Sequence, residues 1–208
     1  MTKNKFLKPI LVKNKNFNRH FEKRIKESLK VKKNLNNKIF KKKISEGVNI
    51  IYQSLKNGGK IMLCGNGGSA ADAQHLAAEF LVRLRPNINR NPIPAISLAQ
   101  DISTITACAN DYSFNSLFSR NLDALGLEKD VLIAITTSGN SRNIIEVLKT
   151  AKRKKIFSIA LLGNDGGKAK GLADISLLVP SKITARIQEC HIFICHIIFE
   201  AVEDLLIN

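Results

Sequence analysis

Three stretches of the chain bring together residue types that could do chemistry. The first is Gly65-Asn66-Gly67-Gly68-Ser69, which runs straight into the helical stretch AADAQHLAAEFLVRL. Glycines let a ligand approach the backbone closely, and the N–H groups at a helix start form an anion site. On that stretch His75 and Glu79 stand at i and i+4, so a helix puts an imidazole and a carboxylate on one face above the glycine turn. Such a pair can hold a divalent metal or pair a base with its orienting partner, and it can equally be an ion pair on a solvated face. The alanines at 70, 71, 73, 77 and 78 are what a helix needs where it must pack close to a sheet and leave room for a ligand. Gly65, Gly67 and Ala70 also satisfy G-x-G-x-x-A, the dinucleotide fingerprint. That fingerprint asks for a strand ending in an acidic residue about 20 positions on, where this sequence has the loop around Arg90.

The second stretch is Thr136-Thr137-Ser138-Gly139-Asn140-Ser141, between the apolar run VLIAI and the helical run NIIEVLKTAKRKK. Four hydroxyls around a glycine at a strand-to-helix turn can surround a phosphate with O–H and N–H donors at the positive end of a helix. The bland alternative is a helix cap with spare serines. No GK[ST] is present, so this is not a nucleotide-triphosphate loop, and a compact sugar phosphate suits it better. The third stretch is the closing run RIQECHIFICHIIFEAVEDLL, where Gln188, His191 and His196 sit among apolar residues. Polar groups buried there need partners. Gln188 and His196 are two turns and about 80° apart on a helix and can both reach one site. His191 reads better as a satisfied core histidine. Together His75, Glu79, Gln188 and His196 could supply imidazole, carboxylate and amide to one centre.

These turns need a scaffold that presents them side by side. Short apolar runs at 60–64, 94–99, 131–135, 157–162 and 175–179 alternate with helical stretches, the last of them over 185–206. Such alternation means parallel strands with crossover helices, an α/β three-layer αβα sandwich of about five parallel strands. In such sheets ligands sit beyond the carboxyl ends of the strands, where the unusual turns are. Ahead of the sheet, Phe40, Ile44, Val48, Ile51 and Leu55 form an amphipathic stripe that stops at Gly58-Gly59. Residues 17–35 look helical with a weak apolar face of Phe21, Ile25 and Leu29, and residues 1–16 read as a poorly ordered basic tail. The organisation expected is a basic N-terminal tail and helix over 1–36 and one domain over 37–208.

Charge divides the same way. Of the net +16 in 208 residues, residues 1–60 carry +15 and the remainder only +1, so the body is nearly neutral. It lacks a basic-plus-aromatic surface motif, and no nucleic-acid partner is expected. No apolar run approaches 18 residues and no secretory signal is visible, so neither a membrane span nor export is expected. Cys64, Cys108, Cys190 and Cys195 show no CxxC spacing, which fits reduced thiols in a cytoplasmic protein.

The runs CGNGGSAADAQHLAAEF, ACANDYSFNSLFSR, TTSGNS, LLGNDGGKAKGLADISLLVP and RIQECHIFICHIIFEAVEDL, in that order, resemble the sugar-isomerase (SIS) domain and, more narrowly, the phosphoheptose isomerases. The resemblance covers residues from about 40 to 206. It implies a SIS fold, flavodoxin-like, and conversion of D-sedoheptulose 7-phosphate to D-glycero-D-manno-heptose 7-phosphate, which opens ADP-heptose synthesis for lipopolysaccharide core. It also implies a cytoplasmic homotetramer with sites at subunit interfaces, often with zinc. Carried over residue by residue, the metal ligands are His75, Glu79, Gln188 and His196. Substrate contacts come from Asn66, Gly67, Gly68, Ser69, Glu79, Arg83, Asn110, Asp111, Thr136, Thr137, Ser138, Ser141 and Gln188. Catalysis falls to Glu79 as the base at carbon and His196 as its acid/base partner. Thr136 replaces the family's usual serine, which keeps the hydroxyl and adds a methyl. The other class within this fold is a non-catalytic phosphosugar-binding regulator that partners the replication initiator. That group tends to lose the residues at His196 and Ser138, and both are present here.

Overall fold

The computed structural model describes residues 14–98 and 101–207. The expected tail therefore lies outside the described residues up to 13, and Asn14 already opens the first helix. The elements follow in the order α1 (Asn14–Leu35), α2 (Lys38–Lys56), β1 (Ile61–Gly65), α3 (Gly68–Leu81), β2 (Ala95–Ser97), α4 (Ile102–Asp111), α5 (Leu117–Leu125), β3 (Val131–Thr136), α6 (Arg142–Arg153), β4 (Phe157–Gly163), β5 (Ile175–Val179) and α7 (Thr184–Ile207). The strands form one parallel sheet in the order β2-β1-β3-β4-β5. The three-layer αβα sandwich of five parallel strands expected from the alternation is what the chain forms.

Strand periodicity explains the layers. Ile61 and Leu63 of β1, with Val131, Ile133 and Ile135 of β3, point to one face, where α2, α3 and α7 pack. Met62, Cys64, Leu132 and Ala134 point to the other, under α4, α5 and α6. Every residue of β1 and β3 is buried, as a sheet covered on both faces requires. The second strand is shorter than the run 94–99 suggests. Pro94 has no N–H to give the ladder and joins only through its carbonyl, which accepts from Ile61 N at 3.0 Å; Ala99 lies outside the described residues.

The N-terminal helices differ in how they attach. In α2, Val48 and Ile51 are buried and Phe40, Ile44 and Leu55 pack against the same core, so the predicted stripe faces the sheet. Asn37 caps its start, accepting from Phe40 N at 2.9 Å. In α1 the weak face expected from Phe21, Ile25 and Leu29 turns away from the body, each remaining about half exposed. The helix is held instead through Val31 and Leu35 in the core and through polar contacts to α7. Ser28 Oγ donates to Glu189 at 2.9 Å, and Arg186 donates to the Arg24 carbonyl at 2.9 Å. All four cysteines are free thiols in the interior, with burial pushing Cys64 and Cys195 well up from the usual thiol range.

Candidate active site

The strand order reverses between β1 and β3, and at such a switch point the two adjacent βα turns diverge to opposite faces and leave a crevice. The turns there are the glycine turn after β1 and the hydroxyl turn after β3. A reciprocal amide pair stitches them together. Asn66 Nδ2 donates to Asn143 Oδ1 and Asn143 Nδ2 donates to Asn66 Oδ1, both at 2.8 Å. Asn143 is 2% exposed, so Asn66 is held by a fixed partner in the first turn of α6.

Within the hydroxyl turn the four side chains divide. Thr136 is buried and its Oγ1 accepts from Gly139 N at 3.2 Å and lies 3.5 Å from Ser141 Oγ, so it braces the loop from inside. Thr137 and Ser141 are half-buried, and Ser138 is exposed. Gly139 has φ +66°, and a Cβ there would fall 1.9 Å from the Gly166 carbonyl oxygen, so this turn closes against the next only with glycine. At the glycine turn a Cβ on Gly68 would fall 2.5 Å from Gln188 Nε2, which shows how closely the amide of α7 lies over the start of α3.

The helices then bring the polar cluster together. His75 Nε2 of α3 lies 3.3 Å from His196 Nε2 of α7 and 3.4 Å from Glu79 Oε1. The two rings meet edge to face, with centroids 5.6 Å apart. Glu79 is largely buried, while half of the His75 side chain is open to solvent. Glu79 Oε2 is buried with no hydrogen-bond partner among the described residues. His191, predicted to be a core histidine, is one: it is fully buried, and its Nε2 donates to the Leu162 carbonyl at 3.1 Å. Burial holds its pKa down at about 4, the hydrogen bond opposing only in part. Asn110 and Asp111 end α4, exposed and joined by an amide-to-carboxylate bond of 2.8 Å. Arg83 is exposed just beyond α3, and Ser69 is 3% exposed inside the glycine turn. Among the described residues no hydrogen bond ties Arg83, Asn110 or Asp111 to the histidine cluster.

Comparison with known proteins identifies the family. Residues 20–163 match the model of the SIS domain. The phosphoheptose isomerase of Chlorobaculum parvum is 49% identical over 158 residues, 76% of each chain, and that of Clostridium acetobutylicum is 47% identical over 193 residues, 92% of this chain and 96% of its own. The solved phosphoheptose isomerase of Neisseria gonorrhoeae superposes with a TM-score of 0.82 at 40% identity, over 90% of this chain and 99% of that one. The chain belongs to the phosphoheptose isomerases. The resemblance read from the motifs is thereby established, along with the SIS fold and an isomerase activity.

Two residues near the site of this phosphoheptose isomerase were not singled out by sequence. Asp72 precedes His75 and Glu79 by three and seven positions and so shares their helix face, a spacing that could have pointed to it. Its Oδ2 is buried without a partner among the described residues, and burial raises its pKa against the opposing pull of His75 and His196. Asn143 had only its place in the run TTSGNSRN to mark it.

The donor set suits the zinc that the family resemblance implies. Among the described residues no group of three or more His, Cys, Asp or Glu side chains stands close enough to hold a metal ion as the side chains are placed. Two imidazole nitrogens and a carboxylate nevertheless converge, a second oxygen of that carboxylate is orphaned, and an amide lies beside the glycine turn. Imidazole and carboxylate are the N/O chemistry zinc takes.

Proposed function

We propose that the chain isomerises D-sedoheptulose 7-phosphate to D-glycero-D-manno-heptose 7-phosphate, the opening step of ADP-heptose synthesis for lipopolysaccharide core. The observation that carries the residue roles is the meeting of His75, Glu79 and His196 beside two phosphate-type turns at the switch point. Ketose–aldose isomerisation moves a proton between C1 and C2 through a cis-enediolate and needs a base at carbon plus a group that moves protons between O1 and O2. Glu79, largely buried beside His75, takes the carbon proton. His196 carries the proton between the oxygens. Thr137, Ser138 and Ser141 hold the phosphate at the start of α6, with Thr136 bracing their loop, and so place the reacting end near the histidines. Asn66, Gly67, Gly68, Ser69, Arg83, Asn110, Asp111 and Gln188 complete the sugar site.

Zinc would be held by His75, Glu79, Gln188 and His196, and when bound it supplies Lewis-acid polarisation of the sugar oxygens. The enzyme works as a cytoplasmic homotetramer. In support, Phe17, Phe21, Ile25 and Leu29 on α1 and Phe193 and Ile197 on α7 leave apolar surface exposed, more than a lone chain favours. Buried free thiols and a phosphorylated substrate fit the cytoplasm.

The test is turnover of sedoheptulose 7-phosphate by the purified protein, followed by formation of the aldose phosphate. A well-folded protein with no turnover would return the chain to the regulator class.

A further inference from the structure

We propose that Arg90 is a positioning residue that locks Glu79 against His196 through a buried clamp between α3 and α7. The need for it begins at the end of α3. A helix leaves its last carbonyls unpaired, and they are commonly satisfied by a glycine cap. α3 has none: it ends at Leu81 with Val82 as its cap, the Val82 N–H takes the Ala78 carbonyl and the Ile93 N–H reaches the Phe80 carbonyl at 3.0 Å, while among the described residues no backbone N–H takes the Glu79 carbonyl. Arg90, arriving from the loop after the helix, fills the gap. Its Nη2 donates to the Glu79 carbonyl at 2.8 Å, and its Nη1 donates to the carbonyls of Phe80 at 2.9 Å and Asn91 at 3.0 Å.

The same guanidinium is fastened to α7. Arg90 Nε donates to Glu203 Oε1 at 2.5 Å, with the arginine side chain 6% and the glutamate 0% exposed. Arg85 takes the other oxygen, Glu203 Oε2, at 2.6 Å and reaches Asp204 at 2.5 Å from its Nη2. Two arginines thus face two carboxylates, with the buried Arg90–Glu203 pair neutral in itself and Arg85 and Asp204 at its solvent edge. A charge at this depth persists only when paired and hydrogen-bonded, and a planar five-donor fork can meet a carboxylate and two carbonyls together.

The clamp completes a ladder along one stripe of α7. His196, Phe199 and Glu203 stand at i, i+3 and i+7, on one helix face. His196 meets His75, Phe199 stacks on Phe80 with centroids 3.8 Å apart, and Glu203 grips Arg90. The aromatic rung buries area but is weakly directional, so α3 could slide or roll on it. Hydrogen bonds depend steeply on distance and angle, so the Arg90 rung sets the rotation of α3 at the very residue, Glu79, whose side chain enters the site. The three rungs were invisible as a set in the sequence, where Arg90 read only as a loop residue.

The role rests on the isomerase reading above, and the test separates the two. Arg90→Gln and the milder Arg90→Lys should lower kcat about 10- to 100-fold while leaving KM within about threefold, because the phosphate turns are untouched and only alignment is lost. Lysine should not rescue, since one ammonium cannot span both carbonyls and the carboxylate. Arg85→Gln is the control: it weakens the same buried carboxylate without touching α3, so the melting temperature should fall while kcat is kept. The second readout is independent of turnover. In ¹⁵N-histidine-labelled protein, which has 4 histidines, the Nε2 signals of His75 and His196 should shift in Arg90→Lys and stay in Arg85→Gln. Shifted signals in an enzyme whose wild type has no turnover would uphold the clamp and remove the isomerase reading. Unchanged kcat and unchanged signals in Arg90→Lys, or equal kcat losses in Arg85→Gln and Arg90→Gln, would overturn the clamp.

Discussion

The hydroxyl turn between β3 and α6 is six consecutive residues, whereas the histidine–carboxylate cluster joins α3 to α7 across 121 positions. The turn takes its shape from its own glycine, its internal Thr136 brace and the strand that feeds it. The cluster exists only because two helices pack on the same face of the sheet. A local turn can be weakened one donor at a time, so it suits binding. A cluster shared by two helices fails as a unit when either moves, so it suits the chemical step, where tenths of an ångström matter.

The largest expected effect strikes the cluster. Glu79→Gln and His196→Ala should each lower kcat by about 10²- to 10⁴-fold, the range for losing a positioned acid or base, with circular dichroism unchanged. Full activity in both would remove the roles assigned to them. Next, stripping metal with a strong chelator should lower turnover about a hundredfold, restored by zinc and not restored in His75→Ala. Metal analysis of active protein that finds no zinc would sink that part. In the turn the effect should be smaller and of another kind: Ser138→Ala should raise KM about tenfold, one charge-assisted hydrogen bond to phosphate, with kcat nearly kept. A kcat loss there equal to that of His196→Ala would erase the contrast between the two regions.

The smallest effect lies beside the site. His191 stays neutral in the fold, its pKa at about 4 against 6.5 ordinarily, so between those values the unfolded chain binds a proton that the folded chain does not. Stability is therefore complete above about pH 6.5 and declines as pH falls towards 4, by up to about 3 kcal/mol. His191→Leu should flatten that slope in urea titrations at pH 7 and pH 5, whatever it does to the absolute stability.

Much of this was legible in the chain itself. Alternating apolar runs and helices announced a parallel sheet, because a buried strand and its crossover helix carry different periodicities. Glycine and hydroxyl turns announced themselves because their chemistry is local. His75 and Glu79 shared a face by spacing alone, and His191 could be separated from His196 by its setting. The outward turn of Phe21, Ile25 and Leu29 was not legible, since periodicity shows that a helix has a face and not which body meets it. Nor was the place of Asn143 beneath Asn66, or of Arg90 between Glu79 and Glu203.

The sequence by itself determined the elements, the two turns and the residue types available for isomerisation. The tertiary structure alone decided that β1 and β3 are neighbours, that α3 and α7 share a face, and that His75, Glu79 and His196 meet. The physical reason is range: propensity, capping and turn chemistry act over a few residues, whereas the distance between side chains over a hundred positions apart is set by how buried faces pack.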